Sequence, residues 1–389
     1  MPLQDPAIAL LADLVAIDSV NPALVPGGSG EARIAEFVAA RLRRAGLDVE
    51  THEAAPGRPN VVGVFEGKRP GGSLVLCGHL DTVGVEGMAS PFSPVVRDGR
   101  LYGRGAQDMK GGLAAILSAA ETVAASSLAG GRLLVAAVAD EEHASLGAAA
   151  FVRRFRGDAA VVAEPTDLAI GVAHKGFEWV EVETAGRAAH GSRPAEGEDA
   201  ILRMGRVLGL LEALSRELLA RRPHRLLGTP SLHASLVEGG RELSTYPDRC
   251  VLKLERRTLP GEPEGAALSD VKGILDALCA EDRAFRASAR GLFHQPAYET
   301  PEGHPIVSAV EAALTAAGRI PKREGMSFWT DAAILGQAGI PSVVFGPGGG
   351  GLHGLEEHVR LDEVVVCRDA LVDLTRRFCE SQRGRHEPG

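Results

Sequence analysis

Four short apolar segments constrain the fold of this 389-residue chain more than any other feature of its sequence. The segments are residues 73–77, 133–138, 159–163 and 342–345. Short runs without polar alternation are typical of strands that are buried on both faces of a parallel sheet. Stretches with helical spacing of apolar residues alternate with them, at residues 31–45, 109–125, 147–155 and 305–317. The pattern predicts an α/β/α sandwich with a mostly parallel sheet.

The middle of the chain has a different pattern. Residues 177–184 alternate apolar and polar side chains, as a half-buried antiparallel strand does. A long helix is predicted at residues 199–219, and further strands are predicted at residues 231–237, 249–256 and 285–292. These elements indicate a small α+β unit of ferredoxin-like type, with helices on one face of its sheet. Because the chain is also long for a single core, we assign residues 1–173 and 293–389 to one domain and residues 174–292 to a domain inserted into it.

Composition excludes several classes of protein. The formal net charge is -9 and no cluster of basic residues stands out, so a general nucleic-acid surface is not expected. No stretch approaches the roughly 18 apolar residues of a membrane span, and the first residues lack the features of a secretory signal. The five cysteines are scattered and form no CxxC pair, which argues against a disulfide framework and against a thiolate zinc site. We expect a cytoplasmic protein.

Polar residues follow the apolar segments where each predicted strand ends. They are His79 and Asp81 after the first segment, Glu141 and Glu142 after the second, Glu164 after the third, and His353 beyond the last, with Asp108 at a strand-to-helix turn. The carboxyl ends of parallel strands meet at one edge of a sheet, where sites are commonly built. A histidine with a nearby carboxylate is the usual metal ligand with its partner. For His79 and Asp81 alone, a core histidine bonded to an aspartate remains an equal alternative.

The number of carboxylates at this edge favours bound cations. Like charges a few ångströms apart repel strongly in a low dielectric, and cations remove that repulsion. Imidazole and carboxylate ligands without thiolate suit zinc, cobalt or manganese. Two metals that share one bridging carboxylate would use two histidines and three acids. One acid then remains as the general base that a metal-activated water needs.

Seven stretches, in order along nearly the whole chain, resemble the dinuclear-zinc amidohydrolase and exopeptidase family. The stretches are residues 78–83, 103–112, 140–142, 163–166, 256–262, 330–332 and 346–353. This family includes acetylornithine deacetylase, succinyl-diaminopimelate desuccinylase, aminoacylase and glutamate carboxypeptidase. The resemblance implies a catalytic domain formed by residues 1–173 and 293–389 and a lid domain formed by residues 174–292.

The resemblance also implies a cofactor of two divalent metal ions. Zn2+ is the expected metal, with Co2+ or Mn2+ as alternatives. By this resemblance His79 and Glu164 bind one ion, Glu142 and His353 bind the other, and Asp108 bridges them. The peptide bond that follows Asp108 is expected to be cis, as it is in the family.

Four further residues take roles by the same resemblance. Asp81 is expected to orient His79. Glu141 is expected to take a proton from the attacking water and return it to the leaving amine. In the lid, His190 resembles the histidine that steadies the developing oxyanion. Arg257 resembles the lid arginine that grips a substrate carboxylate, a task suited to a planar fork of donors.

Further residues are compared with the substrate contacts of the family. Gly346 and Gly348 resemble a loop whose backbone N–H groups line the substrate site. Asp331 is either the N-cap of a helix or, by the family pattern, a residue near the site, and both interpretations stay open. Where relatives often carry an Asn before Pro-Asp, this chain has Tyr246, so the substrate contact of that amide is in doubt.

The expected function is hydrolysis of the amide bond of small N-acyl amino acids, most like that of acetylornithine deacetylase, with Glu141 as general base. The alternative is an exopeptidase, a carboxypeptidase or dipeptidase, that acts on short peptides and whose substrates also end in a carboxylate. A metal-free binding module is disfavoured because the five expected ligands and Glu141 are all present. Expected partners are a small-molecule N-acyl amino acid or short peptide and a second copy of the chain bound through the lid domain, with neither nucleic acid nor membrane.

Overall fold

The computed structural model describes residues 5–380. Residues 1–4 and 381–389 lie outside the described residues. They include most of the N-terminal stretch that lacks the features of a secretory signal, and the outer ends of the predicted segments 1–173 and 293–389. The described residues divide into two compact units. The first unit takes in the described parts of Met1–Val172 and Thr330–Gly389 together with Thr300–Glu324, and the second consists of Ala173–Glu299 and Gly325–Trp329. Residues 293–299 and 325–329 thus group with the inserted segment.

The helices have the following bounds. They are α1 Pro6–Val15, α2 Ala32–Arg44, α3 Gly111–Ser126, α4 Leu146–Arg154, α5 Ala200–Ala220, α6 Ala266–Glu281, α7 Pro305–Ala316, α8 Ala332–Gln337 and α9 Leu361–Glu380, with a short π-helical turn at Ala106–Lys110. The α1 helix begins where Asp5 accepts the N–H of Ala7 and Pro6 fixes the first turn. None of the described helices has the length and apolar content that crossing a membrane requires.

The strands have the following bounds. They are β1 Asp48–Ala55, β2 Arg58–Glu66, β3 Ser73–His79, β4 Val95–Arg97, β5 Arg100–Tyr102, β6 Arg132–Val138, β7 Ala159–Val162, β8 Ile170–His174, β9 Gly176–Ala185, β10 Ser231–Gly239, β11 Arg249–Thr258, β12 Ala287–Gln295, β13 Tyr298–Glu299, β14 Arg323–Met326, β15 Ser342–Val344, β16 Gly349–Gly350 and β17 His358–Arg360. The short strands β16, β17, β5 and β4 form a separate sheet in that order.

The main sheet of the first unit has the strand order β1-β2-β6-β3-β7-β15, followed by the beginning of β8. The pairs β6–β3, β3–β7 and β7–β15 are parallel, whereas β1–β2, β2–β6 and β15–β8 are antiparallel. The four parallel strands are the four apolar segments of the sequence, and their side chains are almost entirely buried. The predicted α/β fold is confirmed, with a sheet that is parallel at its centre and antiparallel at both sides.

The second unit has its own antiparallel sheet, of order β10-β11-β9-β12. Helices α5 and α6 pack on one face, where Val180, Val182, Leu252 and Leu254 form the core with apolar residues of both helices. The alternate residues of each strand point to the opposite face, because side chains alternate across a strand. The predicted α+β unit with one helix-covered face is confirmed. In the same unit, β13 pairs with Ala173 and His174, the last two residues of β8.

Candidate metal and catalytic site

The parallel centre of the sheet brings the predicted ligands to one edge. Strand β3 ends at His79, and its two parallel neighbours β6 and β7 end just before residues 139–142 and before Glu164. The residues that follow these three parallel strands therefore place their polar side chains next to one another. The π-helical turn at Ala106–Lys110 brings Asp108 to the same place, and the peptide bond between Asp108 and Met109 is cis, as expected.

The five predicted ligands form two groups that share Asp108. In the first group, Nε2 of His79 lies 3.0 Å from Oδ1 of Asp108 and 3.7 Å from Oε1 of Glu164. In the second group, Nε2 of His353 lies 3.3 Å from Oδ2 of Asp108 and 3.3 Å from Oε2 of Glu142. The ligand atoms of each group lie within 4.8 Å of one another. Because the two oxygens of Asp108 face different groups, this carboxylate could contribute one ligand atom to each group.

The donor set fits divalent metal ions. One carboxylate oxygen of Glu142 and one of Glu164 are buried without a hydrogen-bond partner among the described residues, and an unsatisfied buried carboxylate is costly. Burial, together with neighbouring carboxylates, raises the pKa of Glu142 to about 7 and that of Glu164 well above its usual range. Hydrogen bonds to Asp108 and Glu142 raise the pKa of His353 to about 10. The cluster thus favours positive charge at its centre, which a divalent cation held by these imidazole and carboxylate groups would supply.

Asp81 lies beside His79, but the contact differs from the expected one. The backbone oxygen of Asp81 accepts from Nδ1 of His79 at 2.9 Å, whereas the nearest carboxylate oxygen is 3.7 Å away. Nδ1 therefore carries the proton and Nε2 is left as a ligand atom facing Asp108. The carboxylate of Asp81 instead accepts the backbone N–H groups of Glu141 at 3.1 Å and Glu142 at 3.2 Å. It orients the turn that carries both glutamates.

Glu141 lies close enough to Glu164 and His79 of the first ligand group to interact with both electrostatically. Burial and the nearby carboxylate of Glu164 raise the pKa of Glu141 well above its usual range. A carboxylate whose proton affinity is raised in this way is suited to proton transfer near neutral pH.

Sequence reasoning missed a buried carboxylate that joins two ligand loops. Glu357 is 1% exposed. Its two oxygens accept three backbone N–H groups of the loop that carries Asp108, at 2.9, 3.0 and 3.0 Å, and Nη1 of Arg104 at 2.6 Å. Arg104 also donates to the backbone oxygen of His353 at 3.4 Å. Glu357 and Arg104 therefore hold the Asp108 loop and the His353 loop together. No motif in the sequence marks Glu357, because its partners are remote in the chain.

A second buried network holds the turn before the two glutamates. Arg58 donates to Glu31 at 2.7 Å and lies 2.9 Å from a carboxylate oxygen of Asp140. The carboxylate of Glu31 accepts the backbone N–H of Asp140 at 3.2 Å. The amide of Asn21 donates to Asp140 at 3.0 Å and to Asp81 at 2.7 Å. Asn21, Glu31 and Arg58 were not singled out from the sequence, since each is an ordinary polar residue outside the family-like stretches.

Asp331 and the two glycines lie in the first unit with the ligand groups. Asp331 precedes α8, but its side chain makes no capping hydrogen bond. It is 1% exposed, and burial raises its pKa to about 7. The N–H of Gly346 donates to the hydroxyl of Thr166 at 3.1 Å, and the N–H of Gly348 donates to Glu363 at 2.7 Å.

Both N–H groups thus donate within the protein, and the expected placement of this loop at the substrate site stays a prediction. What requires glycine is space. A Cβ at Gly346 would lie 2.4 Å from the backbone oxygen of Glu164, and one at Gly348 would lie 1.7 Å from Oδ1 of Asp167.

His190 and Arg257 belong to the second unit. His190 is exposed, and its Nδ1 accepts the backbone N–H of Ser192 at 3.2 Å, so its neutral form carries the proton on Nε2. Arg257 lies on β11, and its Nε donates to Glu255 at 2.6 Å. Its guanidinium carbon lies 5.2 Å from the ring centre of Phe177. Among the described residues, no hydrogen bond occupies the two terminal nitrogens of Arg257.

Comparison with known proteins is consistent across sequence and structure. A sequence profile of peptidase family M20/M25/M40 matches residues 75–377. Acetylornithine deacetylase of Myxococcus xanthus is 32% identical over 383 residues, which cover 95% of this chain and 97% of that protein. An aminopeptidase of Bacillus cereus has a TM-score of 0.81 at 19% identity, over 96% of this chain and 98% of that one. A Bacillus subtilis dinuclear metal binding peptidase from the M20 family has a TM-score of 0.75 at 17% identity, over 96% of this chain and 98% of that one.

Proposed function

The chain belongs to peptidase family M20/M25/M40 and is a hydrolase, and on that premise we propose that it cleaves the amide bond of small N-acyl amino acids as acetylornithine deacetylase does. The observation that carries the proposal is the pair of three-residue ligand groups joined through the two oxygens of Asp108. The 32% identity to a deacetylase over nearly both full chains supports the N-acyl amino acid as substrate class.

The proposed cofactor is a pair of divalent ions, with Zn2+ first and Co2+ or Mn2+ as alternatives. His79, Asp108 and Glu164 would hold one ion, and Asp108, Glu142 and His353 would hold the other. When bound, such ions polarise the scissile carbonyl and lower the pKa of a water molecule. The unpartnered buried oxygens of Glu142 and Glu164 support this assignment.

Proton transfer is assigned to Glu141. Its carboxylate would accept a proton from the attacking water and deliver it to the amine that leaves. Asp81 supports both halves of this arrangement, because it fixes the tautomer of His79 through its backbone oxygen and the turn of Glu141 through its carboxylate. A residue placed in this way acts by pre-organisation, which enzymes use to avoid rearrangement during the reaction.

The inserted segment is proposed to act as a lid that supplies two further groups. The Nε2 proton of His190 would be donated to the carbonyl oxygen as negative charge develops on it. The free terminal nitrogens of Arg257 would bind the carboxylate of the substrate in a planar, two-point contact. This carboxylate contact also suits the C-terminus of a short peptide, so an exopeptidase acting on short peptides is the second candidate.

A homodimer formed through the second unit is also proposed. Strand β10 lies at the edge of its sheet, and no described strand pairs with its outer side. Leu236 and Val237 on this strand are 66% and 62% exposed. Unpaired edges with apolar side chains tend to pair with another chain, and pairing of two copies through a two-fold axis would cover them.

The proposed location of the activity is the cytoplasm, because the five free cysteines fit a reducing compartment.

The test is release of amine from a panel of substrates after reconstitution with zinc or cobalt. The panel contains N-acetylornithine, N-succinyl-diaminopimelate, N-acetylmethionine and two dipeptides. Wild type is compared with Glu141→Ala and with Glu36→Ala, a control at an exposed glutamate on α2. Turnover of an N-acyl amino acid that is lost only in Glu141→Ala supports the proposal. Cleavage of dipeptides alone supports the exopeptidase, and a fully metallated protein that cleaves nothing contradicts both.

A further inference from the structure

Aromatic rings are concentrated on one face of the second sheet, although only 4% of the residues in the chain are aromatic. Val180 and Val182 of β9 face the helices, so Phe177 and Trp179 lie on the uncovered face. The strand register places Phe293 of β12 directly opposite Trp179 on that face. We call Phe177, Trp179 and Phe293 the aromatic wall.

The three rings of the aromatic wall are in mutual contact. Their centroids are 5.3 Å apart for Phe177 and Trp179, 5.5 Å for Trp179 and Phe293, and 5.9 Å for Phe177 and Phe293. Trp179 is 41% exposed. Phe177 and Phe293 are half-buried beside it. A contiguous aromatic group that presents one exposed indole indicates a surface that binds something apolar and flat, because isolated exposed apolar residues are common but clusters of them are not.

A half-buried carboxylate, that of Glu255, links the aromatic wall to a cation. The register places Glu255 opposite Trp179 and Arg257 opposite Phe177. The carboxylate of Glu255 accepts Nε1 of Trp179 at 2.9 Å and Nε of Arg257 at 2.6 Å. One carboxylate thus holds both an indole ring and a guanidinium group, and it leaves the terminal nitrogens of Arg257 without a described partner. Lys175 lies nearby, where burial and then the charge of Arg257 lower its pKa, and its Nζ donates to the backbone oxygen of Thr229 at 2.7 Å.

We propose that the aromatic wall and Arg257 form a subsite for a carboxylate that carries an aromatic ring. The inference rests on the proposed function and narrows it, because it makes N-acyl aromatic amino acids the preferred substrates. The ring would stack on Trp179 and the carboxylate would meet the fork of Arg257. A cationic side chain such as that of ornithine would be disfavoured, since the guanidinium of Arg257 already lies 5.2 Å from the ring centre of Phe177 and like charges repel.

Turnover of matched substrates tests this subsite. We compare kcat/KM for N-acetylphenylalanine, N-acetylalanine and N-acetylornithine in wild type, Trp179→Leu and Trp179→Phe. Trp179→Leu keeps an apolar side chain without a ring, and Trp179→Phe restores a ring. We expect Trp179→Leu to lower kcat/KM for N-acetylphenylalanine about 10- to 100-fold, to leave N-acetylalanine within about threefold, and Trp179→Phe to recover most of the loss.

Two outcomes of the turnover experiment overturn the inference while the proposed function stands. One is a wild-type preference for N-acetylornithine or N-acetylalanine over N-acetylphenylalanine. The other is an equal loss on all three substrates in Trp179→Leu, which would make Trp179 a structural residue.

A binding experiment decides the matter if no substrate is turned over. The chain has two tryptophans, so Trp329→Phe leaves Trp179 as the sole indole fluorophore. We expect N-acetylphenylalanine to change the fluorescence of Trp179 saturably, and N-acetylalanine and N-acetylphenylalaninamide, which lack the ring and the carboxylate respectively, to do so at least tenfold more weakly. Equal titration curves for the three compounds, or no change with any of them, would overturn the subsite.

Discussion

Glu357 offers the sharpest test of how the ligand loops are held. Its buried carboxylate accepts three backbone N–H groups around Asp108 and a guanidinium nitrogen of Arg104. The change Glu357→Gln keeps the size of the side chain but replaces one accepting oxygen by an NH2 group. That NH2 group would face donors, so about half of the hydrogen bonds to this side chain would be lost.

The cost follows from the number and kind of these bonds. A hydrogen bond to a charged group contributes about 1.5–3 kcal/mol, and two of the four are lost. Arg104, which is 2% exposed, would also be left as a buried cation without its partner charge. We therefore expect Glu357→Gln to reduce the free energy of unfolding by about 3–5 kcal/mol. Metal affinity should fall about 10- to 100-fold as well, because Asp108 and His353 lose their common support.

Urea unfolding and zinc competition against a chelator measure the two effects. The matched control is Glu356→Gln, which changes the neighbouring exposed glutamate of the same loop. The control should stay within about 0.5 kcal/mol of wild type and should keep wild-type zinc affinity. If Glu357→Gln behaves like Glu356→Gln in both measurements, the proposed support of the two loops by Glu357 is wrong.

Three further predictions concern a titrating core histidine, a ligand and the dimer. Burial lowers the pKa of His174 from 6.5 to about 4. As the pH falls from 6.5 to 4, the histidine therefore takes up a proton in the unfolded chain but not in the folded one, and the free energy of unfolding should fall by about 3 kcal/mol. Unfolding of His174→Gln should lack this pH dependence, and identical pH dependence in both proteins would contradict the prediction. Elemental analysis of His353→Ala after dialysis should find about one zinc ion per chain, whereas retention of two would exclude His353 as a ligand. Sedimentation should show that Leu236→Glu is monomeric at micromolar concentration where wild type is dimeric, and a monomeric wild type would refute the dimer.

The strands that could be predicted are those whose burial produces a continuous run of apolar residues in the sequence. The apolar runs that become β3, β6, β7 and β15 can be recognised because both faces of each strand are buried. Strand β1 was not predicted, since it is an exposed edge strand held by its pairing with β2 rather than by an apolar pattern. Helix α6 was not assigned either, although its buried positions Val271, Leu275 and Leu278 recur at helical spacing.

The site was predictable to the extent that its residues follow strand ends and family-like stretches. That reasoning found His79, Asp108, Glu142, Glu164 and His353, which the structure places in two groups. It could not find the carboxylates that hold these residues, because nothing local distinguishes them. Glu357 contacts residues about 250 positions earlier in the chain, and such a hydrogen bond leaves no spacing pattern.

For two of the predicted roles the structure gives atomic contacts that the sequence did not specify. Asp81 supports His79 through its backbone oxygen rather than its carboxylate. The N–H groups of Gly346 and Gly348 are donated to protein side chains. Sequence identifies a residue type and a neighbourhood, but the competing acceptors that decide where a particular N–H group points come from other parts of the fold.

Calorimetric titration of the metal-free protein with Zn2+ tests the central claim most directly, because the claim is that Asp108 belongs to both ligand groups. Wild type should bind two ions per chain. The variant Asp108→Ala should lose high-affinity binding of both, whereas Glu36→Ala should bind as wild type does. If Asp108→Ala binds the same number of ions with the same affinity as wild type, or if wild type binds none, the proposed metal centre and the hydrolysis assigned to it are wrong.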